Sequence, residues 1–150
     1  MKHIKYYFLG LLLMLNLSVV FAADDAYHAV SQAGENWANA IRNRDPNKIV
    51  ALYDRHAFLY ATFSNMIDTH AGLVNYFTKL VKHDNLNVKF NRQNIRLYGN
   101  NIAINSGLYA FSYTEKGQIV TVPGRYTFVY DKTPNGWMIV DHHSSVMPEK

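Results

Sequence analysis

The segment Asp141-His142-His143-Ser144-Ser145 gathers the acid, base and hydroxyl groups of which hydrolase triads are made. It is predicted to be a strand, in which successive side chains point to opposite faces. The nearest neighbours on one face are then Asp141 with His143, or His142 with Ser144, at roughly 6–7 Å along the strand. Neither pair aligns a nucleophile, a base and an orienting acid. The segment therefore does not predict a serine hydrolase.

Proton transfer is the chemistry that suits these residue types better. A histidine accepts or donates a proton near neutral pH, and one of His142 and His143 must face any cavity that the strand lines. Equally, that histidine could hydrogen-bond a tyrosine or serine in a polar core. Arg125, in the preceding strand, could hold a carboxylate or enolate, or could form a surface ion pair or a subunit contact. Which histidine faces inward stays open at this point.

The candidate pocket residues all lie in the last two predicted strands. They are Arg125, Tyr126, Phe128, Asp141, His142, His143 and Ser144. No catalytic residue is assigned among them, and whether the protein is an enzyme stays open. Five tyrosines are too many for a core alone, so some are expected to line a cavity or a subunit interface. These are Tyr60, Tyr109, Tyr113, Tyr126 and Tyr130.

Metal and cofactor sites have little support in the sequence. Adjacent His142 and His143 point apart in a strand, and no His-x-His or His-x3-His pair occurs. A catalytic zinc ion needs about three protein ligands. The chain has no cysteine, which excludes disulfides, thiolate catalysis and iron–sulfur clusters. We therefore predict no metal and no cofactor.

The first 22 residues have the three-part plan of a secretory signal peptide. Lys2 and Lys5 precede an apolar run from Tyr6 to Leu15, and Val20 and Ala22 supply small residues before a cleavage point. The run is short for a bilayer span, although an uncleaved anchor is the alternative. The sequence thus predicts a signal peptide over residues 1–22, a single domain over 23–150, and a periplasmic or secreted product without membrane attachment.

Charge gives no support for a nucleic-acid partner. The formal net charge of +4 falls to +2 when Lys2 and Lys5 are removed with the leader. The remaining basic residues form no block of like charge, and an exported protein would rarely meet nucleic acid. We predict no nucleic-acid binding.

Three helices are predicted before most of the strands. A stripe containing Trp37 and Ile41 predicts the first helix, from Asp25 to Arg44. Asp45-Pro46 is typical of a helix start, so a short second helix should follow and carry Ile49 to Tyr53. Thr69 should cap a third helix that ends near His83.

Five strands are predicted: Ala57–Phe63, Leu86–Tyr98, Ile102–Thr114, Ile119–Tyr130 and Trp137–Val146. The second should bulge around Asn91 to Asn94. Pro123 implies an edge strand or a bulge, and Gly107 and Gly124 are further bulge candidates. Such a sheet curls, and helices across one face leave a cavity. The predicted fold is α+β, a cone of three N-terminal helices packed on a strongly curved, mostly antiparallel sheet.

Several segments resemble one known superfamily. They include Trp37 to Ile41 with Arg44-Asp45-Pro46, then Gly124 to Val129, and most specifically Gly136 to Pro148. On these segments the chain resembles the nuclear-transport-factor-2-like (SnoaL-like) superfamily. Within it, the chain is similar to the SgcJ/EcaC family and to the association domain of calcium/calmodulin-dependent protein kinase II.

The resemblance implies a cone fold around a pocket, but not one activity, since the superfamily includes enzymes, binding proteins and assembly domains. The ketosteroid isomerase pattern of one tyrosine and two pocket aspartates has no counterpart that can be placed here. Phe128 and Ser144 stand where the kinase association domain has arginines.

The function expected from the resemblance is an exported pocket protein for an unidentified, partly apolar small molecule. Cofactor-free acid–base chemistry of the isomerase, cyclase or dehydratase kind could accompany binding. The alternative is an oligomerisation module without catalysis. In either case a homodimer or a higher homo-oligomer is expected.

Overall fold

A computed structural model describes residues 24–148, so the predicted signal peptide lies outside the described residues. The first helix, α1, is described over residues 24–42. It is followed by α2 (Pro46–Val50), β1 (Tyr53–Tyr60), α3 (His70–Leu80), β2 (Asp84–Tyr98), β3 (Ile102–Glu115), β4 (Gln118–Thr133) and β5 (Gly136–Val146). Within residues 24–148, no helix is both long and apolar enough to cross a bilayer.

The five strands form one sheet in the order β1-β5-β4-β3-β2. Strands β2 to β5 make an antiparallel meander, and β1 joins the outside of β5 in parallel. The inner face of this sheet carries the buried side chains that meet the helices, and the outer face is the opposite one. The predicted α+β fold, three helices on a mostly antiparallel sheet, is confirmed.

Helix α1 lies on the inner face because its apolar residues recur at helical spacing. Val30, Trp37 and Ile41 are fully buried, and the Trp37 ring lies 5.2 Å from that of Phe128 in β4. The helix ends near Arg44, which adopts a left-handed φ of 56°. Burial of Trp37 joins the first helix to the centre of the sheet.

The second helix ends earlier than the sequence predicts, and β1 starts earlier. Tyr53 was expected in the helix but lies in β1, where it pairs with Ile139. The apolar run around Leu52 fits the period of a helix as well as that of a strand, and pairing with the sheet places Tyr53 in a strand. The carbonyl of Leu52 accepts a hydrogen bond from the Ile139 amide at 2.9 Å, which draws the chain into the sheet.

The bulge predicted in β2 is confirmed, because the pairing with β3 shifts between Phe90 and Arg92. The bulges predicted at Gly107 and Gly124 are wrong, since the β3–β4 pairing is regular through both. Each glycine instead allows a close approach. A Cβ on Gly107 would lie 2.0 Å from the carbonyl oxygen of Arg92, and one on Gly124 would lie 2.7 Å from the Tyr109 ring.

The prediction that Pro123 marks an edge or a bulge is also wrong. Pro123 lies in β4, an internal strand, opposite Ala110 and without a register shift. Its missing N–H falls on the β5 side, where β5 ends at Val146. The Pro123 carbonyl still accepts a hydrogen bond from the Met147 amide at 3.1 Å. The proline is tolerated because no ladder donor is needed there.

An unpredicted bulge in β5 determines which side chains of that strand face the helices. Val129 pairs with Asp141, but the next residue, Tyr130, pairs with Ile139, so Val140 is an extra residue. Ile139 points inward before the bulge, and His142 points inward after it. The extra residue reverses the alternation of faces.

Candidate functional site

A cavity of about 150 Å³ lies between α3 and the inner face of the sheet. Its walls are largely apolar: Tyr76, Leu80, Phe111, Tyr113 and Val122 contribute to them. Thr69 caps α3 by accepting a hydrogen bond from the Gly72 amide at 3.1 Å, and the buried Leu73 and Phe77 anchor the helix. The anchored helix therefore holds its tyrosine and leucine over the sheet.

Three hydroxyl groups meet in the cavity wall. The Ser144 Oγ is hydrogen-bonded to the Tyr109 hydroxyl, and it lies 2.8 Å from the Thr62 Oγ1. Burial raises the pKa of Tyr109 to about 12, so this phenol stays protonated. Three hydroxyls carry three hydrogens, and two are used between them. One hydrogen and several lone pairs remain for a polar atom of a ligand.

The described cavity wall contains no carboxylate, lysine or arginine. Burial raises the pKa of Tyr76, which also keeps that phenol neutral. His83 lines the cavity at its edge, with its ring 4.5 Å from the ring of Tyr113. This arrangement can bind an apolar group and one polar atom, and it offers little for acid–base chemistry.

His142 points inward but lies in the core beside the cavity, not in its wall. Its Nδ1 is 2.8 Å from the Tyr53 hydroxyl, which in turn accepts a hydrogen bond from Trp37 Nε1 at 3.0 Å. Burial lowers the pKa of His142 to about 3, so the ring is neutral at physiological pH. His142 is therefore a neutral member of a polar core network.

Two further predicted pocket residues, Tyr126 and Phe128, are also in the core. The Tyr126 hydroxyl donates to Asn105 Oδ1 at 2.8 Å, and Phe128 packs between Trp37 and His142. Of the seven candidates, only Ser144 lines the inner cavity.

The other three candidates, Arg125, Asp141 and His143, lie on the outer face. Arg125 is exposed, and its Nη2 is 3.4 Å from the Val146 carbonyl oxygen. Asp141 is partly buried, and burial raises the pKa of its carboxyl. Arg125 is opposite Ser145 in the neighbouring strand, and Asp141 is opposite Val129. The sheet therefore does not bring Arg125 and Asp141 together.

A second space, an open groove of about 600 Å³, lies beside the end of β5 and the loop that follows β1. Tyr60, Phe63, Met66, Arg125 and His143 contribute to it. The His143 ring lies 6.4 Å from that of Tyr60, its partner in β1. The seven candidates are thus divided between the inner cavity, the core and the outer face with its groove.

The residues missed by sequence reasoning come from α3, from the hairpin of β3 and β4, and from the loop after β1, which contributes Thr62. Tyr76, Leu80, Phe111 and Val122 read as ordinary core positions, because only tertiary packing separates a cavity wall from a filled core. The surplus of tyrosines was the available signal, and Tyr109 and Tyr113 do line the cavity. Across residues 24–148, no group of three or more histidine or acidic side chains could hold a metal ion.

Comparison with known families accounts for this architecture. Residues 27–148 match the family model described as the calcium/calmodulin dependent protein kinase II association domain. The chain belongs to this family. No curated protein matches the chain. Family membership confirms the resemblance inferred from the sequence, and the association-domain family lies on the nuclear-transport-factor-2-like scaffold seen here.

Solved structures agree with the family assignment. One from Xanthomonas campestris, described as a calcium/calmodulin dependent protein kinase II association domain, is 32% identical with a TM-score of 0.76, and the match covers 81% of this chain and 87% of that one. A nuclear transport factor 2-like protein from Salmonella enterica is 20% identical with a TM-score of 0.76, covering 85% and 95%. A ketosteroid isomerase-like protein from Erwinia carotovora is 12% identical with a TM-score of 0.73, covering 82% and 97%. The last two support the fold alone.

Proposed function

We propose that this protein is an exported binding protein whose inner cavity takes the apolar part of a small molecule. The observation that carries the proposal is the make-up of the cavity wall. Apolar and aromatic side chains surround the hydroxyl cluster of Thr62, Tyr109 and Ser144. Such a combination is typical of ligand sites, in which apolar contacts supply affinity and a few polar atoms fix orientation.

Binding is favoured here over acid–base catalysis. A general base must reach the proton that it abstracts, with a pKa near the working pH. The described wall of the cavity has no carboxylate, and the two tyrosines with raised pKa values, Tyr76 and Tyr109, are poor bases in their protonated form. His142 is enclosed in the core with a pKa of about 3. His83, at the edge of the cavity, is the one imidazole of the described wall. With this single candidate base, the isomerase or dehydratase alternative has less support than binding alone.

A titration with 3-phenylpropan-1-ol tests the proposal, because a phenyl ring is the size of group that a cavity of about 150 Å³ accepts. We expect saturable binding by calorimetry or ligand-observed NMR. Ser144→Ala should weaken binding by roughly 2- to 10-fold, since one hydrogen bond contributes about 0.5–1.5 kcal/mol. Ser112→Ala is the matched control, because Ser112 lies in β3 on the face opposite to the cavity and does not line it. Absence of saturable binding to the wild-type protein would overturn the proposal.

Self-association is the second candidate function. It has support from family membership and from the outer face, where Phe58 and Tyr60 are 42% and 43% exposed. Ile104, Leu108 and Val129 add half-buried apolar side chains on β3 and β4, and polar outer side chains of β5 lie between them and β1. Exposed apolar side chains bordered by polar ones are typical of interaction sites. The outer face would then pair with that of a second copy to form a homodimer or a higher assembly.

Light scattering on the purified protein tests association directly. A charge at the exposed apolar end of this face, Phe58→Glu in the edge strand β1, should shift a dimer or larger particle toward the monomer. Ile119→Glu is the control, because Ile119 is 81% exposed but lies at the β3–β4 hairpin. A wild-type protein that stays monomeric at high micromolar concentration would exclude this function.

A further inference from the structure

The inner cavity and the outer groove share part of their lining, namely Thr62, Phe63 and Ser144 to Val146. We infer that the two spaces form one elongated site for an organic anion, in which the cavity holds an apolar body and Arg125 in the groove holds a carboxylate. This inference rests on the proposed binding function of the cavity and adds the chemical class of the ligand.

The passage between the two spaces lies where β1 leaves the sheet. Strand β1 pairs with β5 only as far as Tyr60, which is opposite His143. From Ser144 onward, this edge of β5 is no longer covered by β1. The inner and outer faces can therefore communicate around the edge. The hydrogen bond between Thr62 and Ser144, at 2.8 Å, closes this edge at Ser144. The opening therefore lies beyond it, beside Ser145 and Val146, which line both spaces.

Arg125 carries a charge that no carboxylate compensates within residues 24–148. The only hydrogen bond of its side chain within those residues is the 3.4 Å contact with the Val146 carbonyl oxygen, which is too long to be strong. Asp141 is opposite Val129, four residues along β4 from Arg125, so the two positions are separated by roughly 13 Å at about 3.3 Å per residue. A guanidinium presents a planar fork of donors that matches a carboxylate.

The groove also offers an apolar approach to Arg125. Phe63 is 84% exposed and Met66 is 47% exposed, and both line the groove. Phe63 contributes to the inner cavity as well, so it lies where a ligand would cross from one space to the other. Large exposed apolar side chains beside a cation fit a ligand that is partly apolar and negatively charged.

The size of the cavity limits the body of the ligand. A cavity of about 150 Å³ accepts a single aromatic ring or a short alkyl chain. The carboxylate cannot share that space, because the described wall offers no cation and burial of an unpaired charge is costly. A spacer of a few carbon atoms between ring and carboxylate then fits a passage beside Ser145 and Val146, which line both spaces.

Two probes that differ in charge but not in length test the inference. They are 3-phenylpropionate and 3-phenylpropan-1-ol, titrated at neutral pH by calorimetry. We expect the carboxylate to bind the wild-type protein about tenfold more tightly than the alcohol. Arg125→Gln should remove this preference and leave the affinity for the alcohol unchanged. Arg96→Gln, also an exposed arginine of the outer face, is the matched control and should retain the preference.

The outcomes separate this inference from the proposed function. If both probes bind the wild-type protein with equal affinity, and Arg125→Gln changes neither affinity, the ligand is not an anion held by Arg125. Binding in the cavity would still stand. Failure of both probes to bind overturns both proposals. Light scattering on the same samples gives a third outcome. A particle that dissociates in Arg125→Gln while the charge preference persists assigns Arg125 to a subunit contact and overturns the inference.

Discussion

The hydroxyl of Tyr53 and Nδ1 of His142 form a hydrogen bond of 2.8 Å in the protein core. Trp37 Nε1 can only donate, and it donates to the same tyrosine oxygen at 3.0 Å. The tautomer of the ring determines whether Nδ1 accepts or donates in the 2.8 Å bond. The other ring nitrogen, Nε2, is buried and has no hydrogen-bond partner within residues 24–148. A doubly protonated ring would therefore leave its Nε2 hydrogen without an acceptor.

Acid should destabilise the protein through His142. Its pKa is lowered from 6.5 to about 3 by burial, so the unfolded chain binds the proton more readily than the folded one. The stabilising contribution is complete above the unfolded pKa and is lost as pH falls from about 6.5 toward 3. Between about pH 7.5 and about pH 5 we expect a loss of about 2 kcal/mol in the free energy of unfolding, measured with urea.

Two histidine variants test whether His142 causes this pH dependence of stability. His142→Gln should flatten the stability profile over the same pH range, whatever its effect on stability at neutral pH. His143→Gln, in the adjacent exposed position, should retain the slope of the wild-type profile. An unchanged slope in His142→Gln would assign the acid sensitivity to another group.

Trp37 should be the more costly of the two tryptophans to truncate. It is 1% exposed and packs against Phe128, whereas Trp137 is 9% exposed and lies near Lys132 at the end of the sheet. We expect Trp37→Ala to lower the free energy of unfolding by about 3–5 kcal/mol. Chemical denaturation of both alanine variants measures the difference, and an equal or smaller loss for Trp37→Ala would contradict it.

The two close-packed glycines of the sheet should differ in their tolerance of alanine. At Gly107 the new methyl group would meet the Arg92 backbone, at 2.0 Å from its carbonyl oxygen. At Gly124 it would meet the Tyr109 ring at 2.7 Å, and its nearest backbone atom, the Ser145 carbonyl oxygen, would be 3.1 Å away, so the clash with backbone is smaller. We expect a loss of about 3 kcal/mol for Gly107→Ala and about 1 kcal/mol for Gly124→Ala. Thermal unfolding of both variants measures the two losses of stability. A smaller loss for Gly107→Ala than for Gly124→Ala would contradict the prediction.

Export is the last prediction. If residues 1–22 are a cleaved leader, the native protein purified from its host should begin at Ala23 or Asp24. Intact-mass spectrometry of that material measures the start directly. A membrane-bound product that retains Met1 would contradict the proposal.

The helical part of the fold was predictable because its signals are local. The spacing of Trp37 and Ile41 defines one face of α1, and Asp45 and Thr69 provide side-chain caps for the next two helices. The limits of α2 and β1 were less predictable. Tyr53 fits an apolar helix stripe as well as a strand, and its partner Ile139 lies more than eighty residues away in the sequence.

The site was less predictable, because it depends on which side chains of β5 face inward. Strict alternation from the inward Trp137 would place Asp141 and His143 inside. The extra residue at Val140 places His142 and Ser144 there instead, and neither glycine nor proline marks the position. Ser144 could be chosen as a candidate, but its partners Thr62 and Tyr109 come from distant segments. Tertiary packing brings the three residues together, and no local sequence pattern predicts that packing.

The three hydroxyls of the cavity also have a directional freedom. When Tyr109 donates to Ser144, and Ser144 donates to Thr62, the spare hydrogen belongs to Thr62, at one end of the row. When all three rotate, the spare hydrogen belongs to Tyr109, at the other end of the row. The same wall can thus exchange donor and acceptor ends without moving a heavy atom. A neutral polar atom of a ligand, donor or acceptor, would find a complementary partner in this wall at little reorganisation cost.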